Sequence, residues 1–295
     1  MKKNIVFLTL LLLTKMVFSQ AYNGLQKMNG VSQKVYFSAS AGERARKILD
    51  NVAKAEIYFE KKLKVHPDYT LLVLSPSDWK IYAHPNAIYG IPHYLQDGRL
   101  VVASENNDFW KRNTPPVDKL PEAQVRKLRA TYLDKNGQVN LTDFFDLLAV
   151  HELGHAFQKA AGMLGQRNWL SELLCNVMLH TFIAEKNPRL IPSLTVFPQV
   201  TVAGFPLERL KYTSLEDFEI YYNDIAQKNP DNYGWYQCRF HVVAGQIYDS
   251  GGLAAMNNLW GALLSHKQKL SDLELINLLK TAHPALDQAI ANWKK

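Results

Sequence analysis

His151-Glu152-Leu153-Gly154-His155 lies inside a run whose apolar residues, from Phe144 through Leu148 to Leu153 and Phe157, recur at helical spacing. This stretch constrains the fold more than any other. A four-residue step puts two imidazoles on one face of a helix, about one turn apart, where both can reach a common point. Such a helix must be buried along its apolar stripe and must meet a second element on its imidazole face if anything is to be built there. Thr142 offers an N-cap and Gly162 a C-cap, which predicts a helix over about 142–162.

The chain returns at once. After a short loop, Trp169-Leu170-Ser171-Glu172 opens a second predicted helix over about 170–185. A catalytic zinc takes three protein ligands and keeps a fourth position open, so His151, His155 and Glu172 form a candidate ligand set for one Zn2+ per chain. Glu152 is turned about 100° from His151 around the helix axis. That makes it a poor third ligand but leaves it within reach of a water at the metal, as a general base. The plainer readings are two histidines satisfied in a core and, for Glu172, a solvated carboxylate favoured by the helix dipole. The apolar run before Glu172 argues against the latter.

On His151, Glu152, His155 and Glu172, the helix pair resembles the active-site core of the gluzincin peptidases, the clan of thermolysin and aminopeptidase N. In that clan the third ligand is a Glu on the next helix, and Glu172, seventeen residues after His155, falls in its range. The resemblance covers about residues 143–180. It implies a zincin-like catalytic domain, a zinc cofactor, a peptide or protein substrate, and hydrolysis of the peptide bond with Glu152 as base. It also implies that Asn176 stands where thermolysin-like members carry the acceptor that orients a ligand imidazole. A donor for the developing oxyanion would come from a later helix, with Tyr233, Tyr236 and His241 as candidates and Tyr236 the first choice. The exopeptidase signature Gly-x-Met-Glu-Asn is absent, and Ser104-Glu105-Asn106 echoes it only faintly. Residue 161, which the metzincin arrangement needs as His or Asp, is Ala.

Two alternatives keep the same motif. One is a non-catalytic exported binding protein on a zincin scaffold, and the other is a zinc hydrolase of a non-peptide amide such as a cell-wall link. Endo- and exopeptidase action both stay open.

The rest of the chain predicts an α+β class: a small mixed or antiparallel sheet with helices in the N-terminal half, the zincin-type helix pair, and an all-helical C-terminal half. Strands are expected at 34–38 and 70–74, with a hairpin of 89–94 and 100–103 around Gln96-Asp97-Gly98. A capping box of Ser40 and Glu43 should start a helix over 41–63. Further helices are expected at about 122–132, 215–227, 233–248, 253–266 and from 271 onward, with breaks at Gly251-Gly252 and Pro284. Residues 20–140 and 141–295 are the expected α/β and helical parts.

Residues 1–19 have the three parts of a removable signal: Lys2 and Lys3, an apolar stretch from Ile5 to Leu13, and the exit Val17-Phe18-Ser19. The apolar stretch is shorter than the roughly 20 residues needed to cross a bilayer. Export to the periplasm or the outside is therefore expected, with no stable membrane insertion afterwards. Losing Lys2, Lys3 and Lys15 would lower the formal charge from +7 to +4, and no block of like charge remains, so a nucleic-acid partner is not expected. Cys175 and Cys238 could close a disulfide in an oxidising compartment or stay as two buried thiols.

Overall fold

The computed structural model describes residues 22–293, so the removable signal expected at 1–19 lies outside the described residues. The class is α+β, with the sheet in the N-terminal half and helices in the C-terminal half. Strands β1 (Gln26–Lys27), β2 (Lys34–Phe37), β3 (Thr70–Leu74), β4 (His93–Tyr94) and β5 (Arg99–Ala103) form one sheet in the order β1-β2-β3-β5-β4. The inner pairs, β2 with β3 and β3 with β5, are parallel, and both outer pairs are antiparallel. Helix α1 (Gly42–Leu63) makes the crossover from β2 to β3.

β3 reads as an unbroken apolar run because both of its faces are covered. Leu71 and Val73 join a cluster with Ile48, Val52 and Phe59 of α1, while Leu72 and Leu74 join another with Trp79 and Trp110. Those two tryptophans come from the short helices α2 (Pro76–Tyr82) and α3 (Asp108–Asn113). Burying one such Leu or Val side chain contributes roughly 1.5–3 kcal/mol. The β4–β5 hairpin forms, but its first strand is shorter than expected. Gly90 turns to φ +107 and Pro92 has no N–H to donate, so pairing begins only at His93.

After α4 (Glu122–Tyr132), helix α5 (Thr142–Ala160) lies against α1, β4 and β5, and α6 (Asn168–Lys186) returns along it. Two expected caps do not form. Ala41 and Leu141 take the N-cap positions of α1 and α5, and Thr142 bonds instead to Asn140 Oδ1. Gly162 does end α5 with φ +58, and the Met163 N–H closes on the Gln158 carbonyl.

Helix α7 (Ile191–Gly204) was not expected, because it contains Pro192 and Pro198. Pro192 falls in the first turn, where no N–H is needed. The stretch 215–227 divides into α8 (Leu215–Ile220) and α9 (Tyr222–Lys228). Helix α10 (Pro230–Ser265) then joins the two helices expected on either side of Gly251-Gly252, with a kink at Gly252 (φ 54°, ψ −151°). Ser271 and Glu274 form a true capping box for α11 (Asp272–Ala282), and α12 (Pro284–Ala291) follows. One apolar cluster draws residues from Met28 to Trp293, so the sheet and the helices share a core. Among the described residues no helix is long and apolar enough to cross a membrane.

Candidate metal centre

α5 presents His151 and His155 on one face, with ring centroids 5.1 Å apart. α6 brings Glu172 between them. Its Oε2 lies 3.3 Å from His151 Nε2 and its Oε1 3.6 Å from His155 Nε2. The Asn176 Nδ2–H donates to the Glu172 carbonyl at 3.1 Å, which fixes the amide so that Oδ1 faces His151 Nδ1 at 3.0 Å. With Nδ1–H donating there, the Nε2 lone pair of His151 is turned toward the common point.

Glu172 can come this close because residue 154 has no side chain. A Cβ there would sit 2.9 Å from Cys175 Sγ and 3.3 Å from its Cα, so α6 packs directly onto the α5 backbone. Cys175 Sγ itself lies within 4.8 Å of a nitrogen on each imidazole and is a rival third ligand by distance. Access favours Glu172. Sγ accepts from Gln158 Nε2 at 2.9 Å in the seam between the helices, and Cys175 borders neither hollow of the cleft, whereas Glu172 borders both.

The metal-free electrostatics follow from burial and pairing. Burial pushes the Glu152 carboxyl up to about 7, with the neighbouring His151 opposing the effect and Glu172 adding to it. Burial pushes His155 down to about 4. Burial would raise Glu172, but the His151 hydrogen bond and the two rings outweigh it and hold the carboxyl at about 2. His151 shows the converse: burial would lower it, and its bond to Glu172 raises it.

Two hollows meet at Glu152 and Glu172. One is apolar and runs between α5, α7 and α10; the other is polar and includes Tyr94, Gln96, Gln158 and Lys159. β4 is the edge strand beside them. The Leu95 N–H bonds back to Arg99 on β5, so by alternation the N–H and C=O of Tyr94 face the open edge, on the side of Glu152. Glu105 and Asn106 border another surface hollow with Ile88 and Tyr89, and neither lines the cleft itself.

Tyr236 is not at the site. It is fully buried, donates to the Ser214 carbonyl at 2.7 Å and stacks at 6.1 Å on Trp293. α10 carries two stripes: Tyr236, Phe240 and Val243 pack into the core, while Tyr233, Gln237 and His241, at i, i+4 and i+8, border the cleft. Tyr233 touches both hollows and feels Glu172 and Glu152. Sequence reasoning missed Gly154, Gln237 and Tyr222. Gln237 Nε2 donates to Glu172 Oε2 at 3.2 Å, and its place one turn past Tyr233 was the available signal. Tyr222, raised chiefly by Glu172 and then by burial, had none.

The disulfide does not form. Cys175 and Cys238 are free and buried, the first between α5 and α6, the second on the apolar hollow beside Thr201. No protein-family model matches the chain, and no curated protein or solved structure matches it.

Proposed function

We propose that this chain is an exported zinc-dependent peptidase of the gluzincin type. The reading is carried by one observation: two imidazole Nε2 atoms and a carboxylate from the opposing helix converge where the two hollows of the cleft meet. Two nitrogen lone pairs and one carboxylate suit a borderline cation such as Zn2+ and leave a face open for substrate. The buried Glu172 carboxyl, held ionised at about 2, also brings negative charge that a cation there would offset. Bound zinc supplies Lewis-acid polarisation of a carbonyl and makes water acidic near neutral pH.

The chain's own residues supply the rest. Asn176 orients His151, and Gln237 donates to Glu172. Glu152, which borders both hollows, takes a proton from the attacking water and delivers it to the leaving amine. The Tyr233 hydroxyl takes the place first given to Tyr236, as donor to the developing oxyanion. The open edge of β4 offers the Tyr94 carbonyl to an extended peptide. Support for export is the composition of residues 1–19.

The test is metal analysis of the purified chain beside hydrolysis of a casein-like protein. Glu152→Gln is expected to keep one zinc per chain and to lose about 10²–10⁴ in turnover. Undiminished turnover in that variant removes Glu152 from the mechanism, and a wild-type chain without stoichiometric zinc sinks the whole reading.

A further inference from the structure

We propose that the apolar hollow beside Glu152 selects the substrate by taking one benzene-sized aromatic side chain next to the bond to be cut. This rests on the peptidase reading and names the substrate class of the same site. The hollow has a volume of about 150 Å³ and is walled by Phe109, Phe144, Phe145, Leu148, Phe197 and Phe205. A dry apolar cavity of roughly that volume holds one benzene molecule. The rings already meet edge to face, Phe144 against Phe197 at 4.9 Å and 69° and against Phe145 at 5.3 Å and 80°. Another aromatic edge or face fits such a set better than an aliphatic chain of equal area.

Charge bears on the choice too. Among the described residues no Lys or Arg borders the hollow; its charged neighbours there are Glu152 and Glu172 at the inner mouth and the exposed Asp231. An acidic side chain would be repelled there. A cationic one would be drawn to the mouth, but a Lys or Arg head group would lose its water inside the aromatic walls. Small side chains would leave the hollow unfilled.

The experiment has an arm that does not depend on catalysis. Benzene is titrated into the full chain and followed by NMR of the protein. In parallel, kcat/KM is compared for peptides that carry Phe, Leu, Ala or Lys at one position flanking the cleaved bond. Benzene should bind the wild type, and Phe should exceed Ala and Lys by roughly tenfold or more. Thr201 borders the hollow with its Oγ1 buried and without a nitrogen or oxygen partner. Thr201→Phe should fill the space, abolish benzene binding and flatten the preference between Phe and Ala peptides. Thr201→Val, which keeps the volume, should change neither. No benzene binding by the wild type, or equal rates for Phe and Ala, overturns the inference even if Thr201→Phe does not fold. Benzene binding without any peptide hydrolysis removes the peptidase reading and, with it, the role in cleavage.

Discussion

Among the described residues two clusters are built from the same residue types, and their surroundings differ. Glu56, Glu60 and His66 bring ligand atoms within 4.8 Å of one another at the end of α1 and just beyond it. Yet Glu56 Oε2 already accepts from Gln33 and Tyr69, each at 2.9 Å. Glu60 pairs with His66, whose side chain is 79% exposed. In the α5–α6 cluster, by contrast, exposures run from 7% to 21%, and the ligand atoms point at one another from two rigid helices. The comparison teaches that residue types do not make a centre. On the proposed reading, desolvation and orientation by opposed elements do, because they hold ligand atoms toward one point and away from solvent.

The strongest way to break this comparison is to remove one carboxylate or imidazole from each cluster. Glu172→Ala is expected to abolish stoichiometric metal, a larger loss than the roughly 10–100-fold that follows from losing a supporting partner. His66→Ala should leave metal content unchanged. Metal analysis after dialysis reads both, and an equal loss from the two variants would erase the distinction.

Orientation can be tested apart from ligation. Asn176→Leu keeps all three ligand groups but frees His151 Nδ1, so metal affinity should fall about 10–100-fold in competition with a chromophoric chelator. An unchanged affinity would mean that packing alone fixes the ring. Gly154→Val tests the approach of the helices: the new side chain meets the Cys175 backbone, which cannot yield as a flexible chain end would. A loss of about 1–3 kcal/mol in urea unfolding of the metal-free chain is expected, with weaker metal binding alongside. A variant of wild-type stability and affinity would show that the close seam is not what delivers Glu172.

What was legible in the sequence follows the same division. His151, Glu152, His155 and Glu172 share one seam because a helical period and a short loop are local rules, and those rules place them without knowledge of the rest of the chain. β3 was legible as an apolar run for the same reason. Tyr236 was misplaced because its helix has an apolar stripe and a polar stripe one residue apart in phase, and the choice between them depends on where Phe218 and Trp293 pack. Tyr222 reaches the carboxylates only through the break between α8 and α9. α7 was hidden by its prolines, although it walls the apolar hollow through Phe197 and Thr201. Contacts set by tertiary packing leave no period to read.

The smallest expected effect belongs to the outer cluster and has a definite sign. The hydrogen bond from His66 to Glu60, and then the charge of Glu60, raise the His66 pKa above its ordinary value. A raised histidine contributes stability that is fully present below the unfolded value of about 6.5 and is lost as pH rises through the folded one. Urea midpoints of the wild type should therefore exceed those of His66→Gln slightly at about pH 5.5 and converge with them by about pH 8.5. High salt should narrow the gap at the lower pH, because both partners face solvent. A gap that persists at the higher pH, or that widens on adding zinc, would show that Glu56, Glu60 and His66 hold a cation after all, and the contrast between the two clusters would fail from the other side.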